Sequence, residues 1–465
     1  MGSMLSTKIS PNIELFFITY ILIQPVLDVF AYLNLPISEL FRMLAMVIGL
    51  LYILLLPNKK LRSYVSIYLG LLVVFLGIHF IINLMVKEPF LFSSEVIYII
   101  KTAYFIEMLI VYILLIQSMS KRLNWQYIIQ RNVFISMSII GIVMVLATLT
   151  GTGQKSYDSL AKSGHSGWFF SGNDLSAILA MGIGFMILYM LRKEQLTKKL
   201  ILLPFIMITL WATMMIGTKV SFGGAFIALT IALIVSIIAV FIDKKKNLLN
   251  IAIILPLLTM VLLLMPITPI GQNLNLTFDT INSLDERTPE VNEEDDEPNN
   301  EEYDSINEDD QYNNDETDTV NDDKTSVILS GRSNFVSNLK HQYQIAPTTQ
   351  KVFGMGLGGN YKTEPKSAEM DLFDWFFSFG IIGFILLMLP LIIIGYLILR
   401  NIVLSIIRRS FDINILIIGI AVCLGLGTSI IAGHVFSSPA SSIYLAIAIG
   451  YLYAISARYG KKYVV

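Results

Sequence analysis

The 465-residue chain has a single cysteine, Cys423. It can therefore form no internal disulfide and no Cys-rich zinc or iron–sulfur site. There are only four histidines, and none stands in an H-E-x-x-H motif. A P-loop, a G-x-S-x-G elbow and a C-x-x-C pair are also missing, which removes metalloprotease, P-loop ATPase and common hydrolase readings. Charge is scarce as well. Asp, Glu, Lys and Arg make up 15% of the chain, where a soluble domain carries about 25%. What fills the space is apolar. Hydrophobic residues reach 55% and fall in runs of about 18–25, long enough to cross about 30 Å of hydrocarbon. A soluble globular enzyme, a disordered chain, a collagen and a small disulfide scaffold are all excluded.

The net charge of −2 conceals an uneven distribution. From Asp279 to Asp323 there are 20 acidic residues and one basic residue, Arg287, which leaves 32 basic against 15 acidic elsewhere. Twelve membrane spans are expected between residues 13 and 457, at 13–34, 39–57, 64–86, 94–117, 128–149, 173–192, 199–216, 219–242, 247–267, 371–399, 411–433 and 437–457. Within hydrocarbon such runs can satisfy their backbone only as helix. Alternate connections collect 18 of the 33 basic residues, and the positive-inside rule then makes both termini cytoplasmic.

The expected organisation is nine spans in 1–267, a large extracellular loop at 268–370 and three spans in 371–465. The loop divides in two. The acidic part, about 279–324, has too few apolar residues to bury a core and reads as a disordered, solvated tether. The part from 325 to 370 regains Val, Ile, Leu, Phe and Tyr and reads as a structured cap. No internal repeat relates the halves, which weakens a transporter reading.

A charge at a helix centre in a membrane costs about 2.5–3.5 kcal/mol by insertion scales, so intramembrane charges are functional candidates. On this topology Arg42, Lys101 and Lys219 all fall in the outer half. Lys219 opens its span, where a cation opposes the helix dipole and makes sense if an anion comes to it; snorkelling to the interface is the plainer alternative. Gly223 and Gly224 follow it and permit close helix approach. Arg42 can pair with Glu39 three residues earlier. Arg332 opens the cap in Ser330-Gly331-Arg332 and can grip a phosphate with both arms.

The run Gly354–Gly359 lacks the βαβ context of a nucleotide loop; a tight turn or a nest facing an anionic headgroup fits better. Glu369 and Asp371 precede the tenth span. Asp371, Asp374 and Ser378 share a helical face, although carboxylates there are also ordinary caps. Glu369 is a candidate general base or substrate ligand. His434 ends span 11 as a cap or an acid–base group. His165 precedes Trp168 and Phe170, which are either an interfacial aromatic belt or a sugar-stacking platform.

These motifs, in this order, resemble the O-antigen ligase and O-antigen polymerase family of lipid-linked glycan transferases, over nearly the whole chain. Asn173 with Asp174 resembles the family's start of span 6. Gly217-Thr218-Lys219 resembles its small-residue-plus-cation motif, usually with arginine. Ser330-Gly331-Arg332 resembles its loop arginine motif, and Gly354–Gly359 followed by residues 369–383 its closing glycine pattern. The family's histidine position, eleven residues before Gly380, holds Glu369. That speaks against the familiar histidine-dependent ligase mechanism and resembles Gram-positive-type members, many of them polymerases.

The resemblance implies an all-α polytopic membrane protein with a GT-C-like scaffold, transferring glycan from an undecaprenyl-pyrophosphate carrier at the outer face of the bacterial plasma membrane. It implies Glu369, His434 and Arg332 as catalytic residues, and Lys219, Arg332, Lys101 and Arg42 as the pyrophosphate site. Asp371, Asp374, Asn173, Trp168 and His165 are implied to meet the sugars. Neither metal nor cofactor is expected. The expected partners are the lipid-linked oligosaccharide and the bilayer, with a flippase and a chain-length regulator nearby and no nucleic acid. Ligation of finished glycan and lipid-linked glycan transport are the rival readings.

Overall fold

The computed structural model describes residues 2–157, 161–241, 243–285, 327, 329, 331–408 and 412–460. Ser330 and residues 286–326, which include most of the acidic segment, lie outside the described residues.

Fifteen helices carry the fold: α1 (Gly2–Tyr32), α2 (Ile37–Leu54), α3 (Lys59–Val86), α4 (Phe92–Met119), α5 (Trp125–Thr150), α6 (Gly172–Leu191), α7 (Leu196–Met215), α8 (Lys219–Ala239), α9 (Lys244–Leu264), α10 (Pro269–Asp285), α11 (Arg332–Ile345), α12 (Thr348–Phe353), α13 (Asp371–Ile407), α14 (Ile415–Ile431) and α15 (Pro439–Gly460). The described strands are β1 (Gln154–Lys155) and β2 (His165–Gly167), an antiparallel pair. The protein is an all-α, multi-pass membrane protein.

Eleven of the helices are long and apolar enough to cross a membrane; α14, at 17 residues, is a shorter apolar helix. The sequence places span 11 at 411–433, and both its ends are trimmed. Asp412 Oδ1 accepts from Asn414 N at 2.9 Å and Nδ2 at 2.8 Å, which holds a turn before α14. Gly433, at φ 63°, ends the helix in the left-handed region.

A helix apolar on every side belongs in the interior. Over their most apolar stretches α6 is 94% buried and α15 89%, against 17% for α13. Small residues let α6 take that place. A Cβ on Gly224 of α8 would lie 2.5 Å from the Cβ of Ala180, so only glycine permits this approach. Gly223 has nothing within 4 Å of such an atom.

One end of the bundle carries the 150–172 connection and the cap. Asn273 of α10 docks there. Its Nδ2 donates to Ser163 O at 2.7 Å and Gly217 O at 2.8 Å, and its Oδ1 accepts from Ser163 N at 2.9 Å. Helix α13 breaks at Gly380 (φ 65°, ψ −171°). The break leaves carbonyls free in the preceding turn. The glycine run supplies the donors, Met355 N to Phe377 O at 3.0 Å and Gly356 N to Ser378 O at 2.9 Å.

The same run cups an anion, and the anion is internal. Leu357 N donates to Glu95 Oε2 at 3.1 Å, and a Cβ on Gly356 would lie 2.7 Å from Glu95 Oε1. Lys87 closes the arrangement, with Nζ 2.5 Å from Glu95 Oε1 and 3.0 Å from Leu357 O. The nest expected to face a headgroup is thus filled by Glu95 of α4. Removing one partner of a buried ion pair costs about 3–5 kcal/mol. Glu95→Ala should therefore lower the thermal midpoint in detergent and open residues 354–361 to protease. Unchanged melting and cleavage would count against this role.

Candidate active site

Two short segments meet at the cap end, residues 365–370 before α13 and residues 432–438 between α14 and α15. The first turn of α13 clamps both. Asp371 Oδ2 accepts from Val435 N and Phe436 N, each at 2.8 Å, and Oδ1 from Ser437 Oγ at 2.8 Å. Asp374 accepts from Ala368 N at 2.7 Å and Met370 N at 3.2 Å. Both carboxylates are buried. Expected as sugar contacts, they are instead spent on main-chain N–H groups and one hydroxyl, because a chain reversal beside a helix start leaves donors that must be satisfied.

What they hold in place is Glu369 and His434. Both adopt left-handed backbone, at φ 56° and 59°. For non-glycine residues this costs about 1–3 kcal/mol and persists only when the surroundings enforce it, most often at functional sites. Gly433 makes the approach possible: a Cβ there would fall 2.4 Å from Glu369 O.

The side chains converge without closing. His434 Nε2 is 3.7 Å from Glu369 Oε2, and His434 Nδ1 is 3.8 Å from Asp174 Oδ1. Arg332 Nη2 lies 3.3 Å from Glu369 Oε2, and Lys366 Nζ lies 3.6 Å from Oε1. Arg332 Nη1 donates to Leu329 O at 3.3 Å, while its Nε is buried with no hydrogen-bond partner among the described residues. Charge sets the protonation states. His434, then Arg332 and Lys366, hold the Glu369 carboxyl down at about 2 against the opposing effect of burial. Burial pulls His434 down, but Glu369, Asp174 and Asp371 outweigh it, and the imidazole keeps its proton above its ordinary range. The charges thus favour the ionised carboxylate of Glu369 and the protonated form of the His434 imidazole, beside the Arg332 guanidinium.

Asp174, in the first turn of α6, joins this cluster to a cavity of about 470 Å³. Its Oδ2 accepts from Ser438 Oγ at 2.6 Å, and both residues line the cavity. So do Arg42 of α2 and Lys101 of α4. Arg42 pairs with Asp28 at 2.5 Å, not with Glu39 as helical spacing suggests. Lys101 makes no hydrogen bond among the described residues, so its ammonium is open to an anion. The structure thus brings Glu369, His434 and Arg332 into one cluster and sets Arg42 and Lys101 in the adjoining cavity.

Other residues singled out from the sequence lie apart. Lys219 is exposed at the start of α8, with Lys162 as a charged neighbour, and does not line the cavity. His165 Nε2 is 3.0 Å from Thr148 Oγ1, and Trp168 Nε1 donates to Thr152 Oγ1 at 2.7 Å; both tie the 150–172 connection to itself and to α5. Asn173 is half-buried beside Asp174 and is not among the cavity-lining residues. Ser438 is the site residue that sequence reasoning passed over; Asp28 stood out as a charge within a span and Asp174 as the neighbour of Asn173, neither with a role assigned. The signal for Asp174 was its place next to Asn173 in the first turn of a span.

Residues 11–456 match the family model described as O-antigen ligase like membrane protein. Neither the curated proteins nor the solved structures include a match to the chain. The family match runs through all twelve apolar helices, the cavity and the charged cluster at the cap end, and the chain therefore belongs to the O-antigen ligase-like membrane proteins, whose broad work is glycan transfer at a membrane.

Proposed function

We propose that the protein polymerises undecaprenyl-pyrophosphate-linked oligosaccharide repeat units at the outer face of the cell membrane. The observation that carries this reading is that two kinds of chemistry meet at one residue, Asp174. Open or fork-shaped cations line a cavity, and a strained carboxylate–imidazole pair stands at its edge, with Asp174 common to both.

In the proposed reaction an acceptor sugar hydroxyl attacks the anomeric carbon of the donor. The bond from that carbon to the pyrophosphate oxygen breaks, its electron pair leaves with the pyrophosphate, and the hydroxyl proton passes to the protein. Lys101, Arg42 and Arg332 stabilise the charge that develops on the leaving group, which preorganised cations do best in a water-poor site. Glu369 receives the proton. A carboxyl held at about 2 is a weak base at rest, but its depression comes from His434, Arg332 and Lys366. A pyrophosphate that draws Arg332 to itself relieves part of it and strengthens the base as the donor binds. His434 balances Glu369 and, in its neutral form, is the alternative proton acceptor. One displacement inverts the anomeric centre.

Glu369, standing where the familiar ligase has histidine, favours polymerisation over ligation of finished glycan. The test is a deletion strain together with the purified protein in liposomes. Loss of polymerisation should leave single repeat units on the carrier, and the purified protein should convert lipid-linked repeat units into longer chains. Long unattached chains in the deletion strain would make the protein a ligase. Carrier movement across the liposome with no new glycosidic bond would make it a transporter.

A further inference from the structure

The cavity mouth holds a feature that the proposed chemistry does not use. Phe169 and Phe170 are neighbours with opposite fates: Phe169 is 3% exposed and Phe170 68%. The local bonds fix the backbone on both sides of Phe170. Phe169 N donates to Ser166 O at 3.2 Å, and Ser166 Oγ donates to Phe169 O at 2.9 Å. On the other side Ser171 caps α6, its Oγ accepting from Asp174 N at 3.2 Å. Phe170 is held between two pinned residues and lines the cavity with Asp174, Lys101 and Ser438. It makes no ring contact with another aromatic among the described residues.

Asn34, in the turn after α1, also lines the cavity. It adopts φ 57°, the third non-glycine residue in the left-handed region among the described residues, after Glu369 and His434. The turn is fixed by Asn34 N to Ala31 O at 3.0 Å and Leu35 N to Phe30 O at 2.9 Å. It is tied to the connection after α5 by Tyr32 OH, which donates to Thr152 O at 3.0 Å. Thr152 also receives Trp168 Nε1 through its hydroxyl. The cavity is thus lined by an apolar ring and by a side-chain amide that makes no hydrogen bond among the described residues, each on a segment held by main-chain bonds.

We propose that Phe170 and Asn34 form a pyranose subsite of the glycan substrate, the ring stacking on the apolar C–H face of the sugar and the amide bonding its hydroxyls. An aromatic face beside a few placed polar groups is the chemistry of carbohydrate recognition. A ring serving only as a membrane belt would face lipid, and this one shares its cavity with a lysine, an aspartate and a serine. The inference rests on the proposed glycan-transfer function and assigns to Phe170 a role that indole tethering denies to Trp168.

The test uses the full-length protein in nanodiscs. The probe is the repeat-unit oligosaccharide freed by mild acid from the host's own lipid-linked pool. Phe170→Ala and Phe170→Leu should each weaken its binding about tenfold, a change of about 1.4 kcal/mol, while Phe170→Trp retains it. In transfer assays the loss should appear in KM with kcat little changed. Leucine keeps apolar bulk without a π face. If Phe170→Leu binds the probe as tightly as wild type, the residue is a membrane anchor and the subsite is overturned. If the wild type itself binds no oligosaccharide, the glycan-transfer reading fails first, and the subsite fails with it.

Discussion

Replacing Arg332 by alanine is expected to lower glycan transfer about 10²- to 10³-fold, the usual cost of removing one preorganised donor from a developing oxyanion. The protein should still reach the membrane in normal amount, because the guanidinium holds the fold through one carbonyl contact, Leu329 O at 3.3 Å. Its other bond, to Glu369, is also long at 3.3 Å, and its Nε has no partner among the described residues. That is the geometry of a group waiting for a ligand, since a buried donor left unmade costs stability that a purely structural arginine would recover. Arg332→Lys should recover only part of the rate, because an ammonium lacks the planar fork. The variant also carries a signature in pH. Arg332 is one of three cations that hold the Glu369 carboxyl down at about 2, with His434 the largest. Without Arg332 the carboxyl titrates higher, so the acid limb of the residual rate should move to higher pH, and only partly so because His434 and Lys366 remain. Transfer from lipid-linked repeat units, followed across pH in liposomes, measures both. A full rate in Arg332→Ala would remove the arginine from the mechanism.

The residues that the structure gathers were mostly visible in the sequence, while their partners were not. Arg42, Lys101, Glu369 and His434 stand out because charge is costly in or near a span. Pairing is a different matter. Helical spacing offers Glu39 to Arg42, but Asp28 in the last turns of the preceding helix takes it. The same rule groups Asp371 with Asp374 on one helical face, but does not show that Asp374 turns back to the N–H groups just before the helix while Asp371 reaches those of residues 435 and 436. The glycine run reads as an open nest because its anion, Glu95, is more than 250 positions away. The break at Gly380 is hidden in an apolar run that hydropathy reads as continuous helix, and the donors of residues 355 and 356 stabilise it from outside that run. Periodicity and charge report which element a residue occupies. They do not report which distant carbonyl or carboxylate meets it.

Gly433→Ala should abolish transfer without removing any ionisable group. Gly433 lies at φ 63°, where an alanine is strained by about 1–2 kcal/mol. The larger penalty is contact. The added carbon would lie 2.4 Å from Glu369 O, 2.5 Å from Glu369 C and 3.0 Å from Met370 N, all main-chain atoms. Neither side can retreat easily. Residues 368 and 370 are bound to Asp374, and residues 435 and 436 to Asp371. The segments must therefore part, and the 3.7 Å separation of His434 from Glu369 widens. A misplacement of about 1 Å can cost about 10²-fold in rate. Gly427→Ala is the matched control, since it sits in α14, the helix that Gly433 ends, with nothing within 4 Å of the added carbon, and it should transfer at the wild-type rate. The comparison separates position from charge, because both variants keep Glu369, His434, Asp174 and Arg332 intact. Near-normal transfer by Gly433→Ala, with the protein present and folded, would mean that the chemistry does not depend on the close approach of these two strained residues.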